Sequence, residues 1–169
     1  DDLSDRGAQQ LATAVAAARR PEDLVVASIH WGGNWGYDVP RAHREFAHRA
    51  IEEAGVDVVH GHSSHHPTGI EVHRGRPILY GCGDLINDYE GISGHESYRG
   101  ELHLLYFLRF AGRDHRFVAL DMAPVESHRF RLRRTTAEQT GWLADTMDRV
   151  CRPLGTSVGR GDDGVLHLR

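Results

Sequence analysis

The sequence predicts an α/β fold, and three consecutive segments carry that prediction. Leu24 to Ile29 is an apolar run of strand length, interrupted only by Ser28, that opens onto Gly32, Gly33 and Gly36. From Pro40 onward, Phe46, Ala47, Ala50, Ile51 and Ala54 recur at helical spacing on one face, and Gly55 follows as a stop signal. The stretch VDVVHG, residues 56–61, is then a second short buried strand. Two apolar strands separated by one helix predict a parallel pair, because a parallel connection must cross back over the sheet.

The flanking elements extend this unit. Leu3 to Arg19 is Ala-rich, with Leu11, Val15 and Ala18 at helical spacing behind an N-cap at Ser4. After the loop GHSSHHPTG, the segment IEVHRGRPILYGCGD predicts a hairpin turning at Gly75. Asp84 to Gly100 is a polar loop punctuated by glycine. Two long strands follow in ELHLLYFLRF and RFVALDMAPVESHRFRLR, with a turn at Gly112 to Asp114. Within the second, Arg129 to Arg134 alternates with Phe130 and Leu132 and predicts a half-buried strand with a basic outer face. Thr136 to Val150 predicts a helix burying Trp142, Leu143, Met147 and Val150, and VGRGDDGVLHLR a closing hairpin or edge strand.

Size and charge narrow the function classes. A chain of 169 residues suits one domain. Its net charge of -4 argues against a nucleic-acid partner, which needs clustered basic side chains. No apolar run approaches the ~20 residues that span a bilayer. Cys82 and Cys151 match no CxxC spacing, so neither a disulfide framework nor a zinc ribbon is expected, and a reducing, cytoplasmic compartment is favoured.

Thirteen histidines are the anomaly. His30 ends an apolar run and opens the loop HWGGNWG, which also carries Asn34. His60, His62, His65 and His66 crowd the loop HGHSSHHP immediately after the second strand. Both loops leave strand ends, where open α/β sheets place their ligand sites, and imidazole is the commonest side-chain metal ligand, suited to zinc, iron, manganese or nickel. Asp84, Asn87, Asp88 and Glu90 follow the strand ILYGC near the same rim. His43 and His48 read as a solvated helix face, and His73, His95, His103, His115, His128 and His167 as scattered structural residues. Cys82 reads as a small packing residue.

The segments VVASIHWGGNWGYDVP, AGVDVVHGHSSHHPTGIEV and RGRPILYGCGDLINDYEG resemble the CapA family of poly-γ-glutamate capsule biosynthesis, built on the metallophosphoesterase fold. They span about residues 22–92 in the family's order and spacing. The resemblance implies part of a four-layer α/β/β/α sandwich with mixed sheets and a site holding two divalent ions, of manganese, iron, zinc or magnesium. His30 resembles the family's lone His, while Gly61-His62 with His65 resembles its closing GHxH-type motif. His30, His62 and His65 are thereby implied as metal ligands, with His30 alternatively a cation at a developing oxyanion. His60, His66, Asn34 and Asp84 are further candidates.

The chain departs from the family in two places. Ser63 stands where the common form has histidine, and Asp84 where it has asparagine. The family's earlier Asp, His and Asn ligands would lie far upstream of His30, and residues 1–21 do not supply them, although Asp1, Asp2 and Asp5 lie nearby. The resemblance therefore implies that residues 1–169 are the C-terminal portion of one domain, whose N-terminal half would be its partner. With that half upstream, an extracellular or envelope location stays open beside the cytoplasmic one. The implied activity is metal-assisted hydrolysis of a phosphoester or of a γ-glutamyl or amide bond, in a small-molecule or polymer substrate. Its rival is a non-catalytic protein of envelope or capsule assembly that binds polymer or a partner. A self-sufficient mononuclear enzyme is a third reading, disfavoured because few carboxylates accompany the histidines.

Overall fold

A computed structural model of the chain describes residues 2–87 and 92–169. Asp1, Asp88 and Glu90, named above, lie outside the described residues. The element order is α1 (Asp5–Ala18), β1 (Val26–His30), α2 (Arg41–Glu52), β2 (Val58–His62), β3 (Ile70–His73), β4 (Arg76–Leu79), β5 (Leu102–Ala111), β6 (Arg116–His128), β7 (Arg131–Arg134), α3 (Ala137–Cys151), β8 (Val158–Arg160) and β9 (Leu166–Leu168). The fold is mixed α/β, as expected, with one mixed sheet and one antiparallel sheet.

The mixed sheet has the order β1-β2-β4-β3. Strands β1, β2 and β4 run parallel, and β3 returns antiparallel beside β4. The β3–β4 turn places Arg74 and Gly75 at positive φ, the backbone of a tight two-residue hairpin. Strict alternation along the strands sorts the side chains onto two faces. Ala27, Val59, Ile78 and Tyr80 face α1 and α2, where they meet Ala8, Phe46, Ala47, Ala50 and Ile51. Ser4 caps α1 by accepting a hydrogen bond from the Gly7 amide, as its sequence position predicts. Buried Asp57 fastens this layer, pairing with Arg19 at 3.2 Å and Arg76 at 2.9 Å and accepting the Val25 amide.

The other face of the mixed sheet is covered unevenly. Near β3 and β4, Ile70 and Leu79 enter a core with Leu102 and Leu104 of β5, Leu120 and Met122 of β6, and Leu143, Met147 and Cys151 of α3. Toward β1 this cover ends. There a groove of about 580 Å³ runs between Leu24, Val26, Val58 and His60 on one wall and Leu105, Tyr106, Leu108 and Phe110 of β5 on the other. Val26 is 52% exposed and Leu24 39%.

The antiparallel sheet has the order β5-β6-β9-β8, with β7 beside β6. The closing hairpin is thus built into the sheet, because β9 pairs with β6 and only β8 forms the edge. A capping box at Thr136 and Gln139 starts α3. One expected element differs. Arg129 to Arg134 is not a continuous half-buried strand, because Arg129 and Phe130 both take positive φ and form a tight turn into β7. Phe130 is 61% exposed, so the alternation of basic and apolar residues there reports a turn and an outer strand with little burial.

Candidate functional site

The parallel register of β1 and β2 builds the first part of the site. Ser28 lies opposite His60, and His30 opposite His62. All four share the face of the sheet that bears the open groove. The His30 and His62 rings meet edge to face with centroids 5.2 Å apart, and His60 stands 5.6 Å from His62. Ser28 Oγ lies 3.0 Å from His60 Nδ1. Burial, followed by the neighbouring His62, holds the His60 pKa below its ordinary value, so this ring favours the neutral, ligand-competent form.

Gly61 makes that register possible. A Cβ there would lie 2.8 Å from the Leu79 carbonyl oxygen and closer still to the Tyr80 carbonyl and Trp31 Nε1. Trp31 fills the opposite face at this level, donating its indole N–H to the Tyr80 carbonyl at 2.9 Å and stacking on His43 at 4.7 Å. His43 is therefore a partner of the indole and not part of a solvated face, and burial lowers its pKa.

The His-rich loop continues through Ser63, whose φ of 124° is uncommon outside glycine. His65 then turns its Nδ1 toward Asp84 Oδ2 at 2.6 Å. Its backbone N–H donates to the Asn34 carbonyl at 2.9 Å, so Asn34 contributes main chain to the loop while its side chain is exposed. His66 is fully buried. Its Nδ1 lies 3.0 Å from the Pro67 carbonyl and its Nε2 accepts the Gly36 amide at 3.1 Å, so both ring nitrogens are engaged within the protein. Burial lowers its pKa, in keeping with a neutral ring that donates at one nitrogen and accepts at the other.

Trp35 is a residue that local spacing did not single out. Its ring stacks against His95 at 4.4 Å and against His66 at 5.8 Å, and approaches His65 at 5.4 Å. The glycines around it let the loop fold the indole over the histidines. Beside it, a pocket of about 410 Å³ is bounded by Trp35, His65, Asp84, Arg99, His103 and Ser127, among others. His103 is 2% exposed, with Nε2 beside Ser127 Oγ and Nδ1 without a hydrogen-bond partner among the described residues, and burial lowers its pKa. Cys82 lies nearby with its thiol pKa pushed up to about 12 by burial, which fits packing and not nucleophilic attack.

Among the described residues, one set of three His, Cys, Asp or Glu ligand atoms lies within 4.8 Å of one another, and it is His48, Glu71 and His73 on the helix side of the sheet. His30, His62 and His65 do not form such a set. The structure brings His30 and His62 together at adjacent strand ends and joins His65 to Asp84 on the following loop.

Comparison with known proteins decides the family. The profile described as bacterial capsule synthesis protein PGA_cap matches residues 1–89. A Mycobacterium tuberculosis protein named as a probable polyglutamine synthesis accessory protein is 47% identical over 161 residues, 95% of this chain. The chain belongs to the PGA_cap family. Within this family, the PGA biosynthesis protein CapA of Bacillus subtilis is 32% identical over 90 residues, covering 53% of this chain and 23% of that protein. The capsule biosynthesis protein CapA of Bacillus anthracis is 26% identical over 117 residues, 69% of this chain and 26% of that protein. This PGA_cap chain spans only 42% of the length of its mycobacterial relative. No helix among the described residues is long and apolar enough to cross a membrane.

Proposed function

We propose that the chain supplies the C-terminal part of a CapA-type metal-dependent hydrolase in capsule or polyglutamate synthesis, acting on a phosphoester or a γ-glutamyl or amide bond. The observation that carries this reading is the His65–Asp84 pair at 2.6 Å, beside a loop that follows the paired strand ends bearing His30 and His62. A carboxylate on Nδ1 fixes an imidazole's tautomer and ring orientation, as the outer partners of metal-binding histidines ordinarily do. Imidazoles suit divalent ions, and this reading takes His62 and His65 as ligands of a two-ion centre whose three histidines do not all share one ion, with His30 as a further ligand or as a cation beside a developing oxyanion. His60 is a reserve donor, and His66 serves the loop. When bound, divalent ions supply an acidified water and polarise the scissile group. The chain's own part is to hold His65 through Asp84 and to present the pocket bounded by Trp35, Arg99 and His103 to substrate.

The same reading assigns the open face of the mixed sheet. In a four-layer sandwich the groove along Val26 and His60 would be covered by a second sheet, drawn from the part of the relatives' length outside the matched 42%. That part would also bring the carboxylate ligands. A polymer- or partner-binding protein without catalysis is the second reading, favoured by the absence, among the described residues, of a carboxylate grouped with His30 and His62 as metal ligands.

Hydrolysis separates the two. The full-length polypeptide is assayed with manganese on a phosphodiester and on a γ-glutamyl peptide, alongside His65→Ala and His115→Ala. The hydrolase reading predicts turnover that His65→Ala abolishes and His115→Ala leaves intact. Absence of metal-dependent turnover on both substrate classes, with polymer binding retained, would establish the binder.

A further inference from the structure

Strand β3 places Glu71 and His73 on the face of the mixed sheet that carries α2, opposite to the face of His30, His60 and His62. From α2, Arg44 and His48 lie one helical turn apart and reach the same strand. Glu71 is only 6% exposed. Its Oε1 lies 2.9 Å from His48 Nε2, while Oε2 accepts the Tyr80 hydroxyl at 2.7 Å. Arg44 adds hydrogen bonds to both oxygens, at 3.2 and 3.3 Å. His73 stacks flat on His48, with centroids 3.7 Å apart and planes 6° from parallel, and its Nε2 meets Glu52 Oε1 at 2.7 Å.

We propose that His48, Glu71 and His73 form a structural zinc site that fastens α2 to the edge strand β3. The three ligand atoms lie within 4.8 Å of one another, and two imidazoles with one carboxylate are a donor set suited to zinc. Burial alone would raise the Glu71 pKa, but its bonds from Arg44, Tyr80 and His48 outweigh that and keep it ionised. Tyr80 and Arg44 act as the outer partners that orient a metal-bound carboxylate. An imidazole turns broadly about its second side-chain torsion, so two rings already in contact can direct nitrogens to one point without moving the backbone. The side chains of His48 and His73 are 28% and 20% exposed, which leaves an entry path from solvent. Glu52, already on His73, is the nearest carboxylate for a fourth position. The site is independent of the proposed hydrolase chemistry.

The test is zinc titration of the full chain carrying His62→Ala and His65→Ala, by competition with a chromogenic chelator. Zinc binding at this site should persist in that background and raise the denaturation midpoint. Adding His73→Ala should abolish both effects, and Tyr80→Phe should weaken zinc by ~10–100-fold. His48→Ala replaces His73→Ala if the latter unfolds the edge strand, since His48 stands on a helix. Unchanged zinc affinity after loss of either histidine overturns the site, as does absence of zinc binding when only His62 and His65 are removed. A midpoint that varies with pH but not with zinc also overturns it, leaving the stacked histidines as an ion-paired contact.

Discussion

Asp84 Oδ2 lies 2.6 Å from His65 Nδ1, joining the loop after β4 to the His-rich loop after β2. Asp84→Asn keeps an acceptor but loses the charge, and Asp84→Ala loses both. Metal affinity of the full-length polypeptide should fall by ~10–100-fold in the alanine variant, with the asparagine variant between it and the parent. Equal affinities in all three, measured by titration, would remove Asp84 from the site.

Gly61→Ala should disturb the site from beneath. The added methyl meets the Tyr80 and Leu79 carbonyls and the Trp31 indole, none of which is the free end of a flexible chain. Overpacking of this kind costs ~1–3 kcal/mol, read as a lower denaturation midpoint in urea. Metal affinity should fall as well, because the register of His60 and His62 depends on this close approach.

The order of helices and strands was legible in the sequence because each is set by local periodicity and local caps. Ser4, Thr136 and Gly75 sit where the structure uses them. Arg129 and Phe130 were misread because alternation over so few residues does not separate a strand from a turn with a short strand after it. At the site, the histidines of interest were visible through spacing after strands, whereas their partners were not. Glu71 lies 23 residues from His48, and Asp84 lies 19 from His65, so neither pairing leaves a local pattern. Trp35 was likewise invisible, since its neighbours His66 and His95 reach it only through tertiary folding.

Stability should fall on mild acidification. His66 and His103 are buried and their pKa values are lowered by that burial, below the ordinary 6.5. Unfolding exposes both rings, which then take up protons that the folded state excludes. Their contribution is therefore complete above about pH 6.5 and is lost as pH drops from there toward the folded values, by up to ~1.4 kcal/mol per pH unit per proton. Urea denaturation at a series of pH values checks this, and His66→Gln should flatten the slope while lowering overall stability. A slope of the opposite sign would contradict the assigned neutral rings.

The chain of residues 1–169 expressed alone should bind hydrophobic dyes and self-associate through the groove beside Leu24 and Val26. Val26→Asp should reduce both by placing a charge on that face. In the full-length polypeptide the same substitution should instead destabilise the fold if, as the four-layer arrangement requires, that face is covered there. Equal behaviour of Val26→Asp in the two settings, followed by light scattering and urea denaturation, would count against the four-layer arrangement.

Whether His30, His62 and His65 serve one metal centre is tested most directly by the metal content of the purified full-length polypeptide. Elemental analysis of the parent and of His30→Ala, His62→Ala, His65→Ala and His115→Ala is compared after equilibration with manganese. Two manganese ions per polypeptide are expected in the parent and in His115→Ala, with loss of bound manganese in each of the other three. Full occupancy in the His62→Ala and His65→Ala proteins would contradict the shared centre.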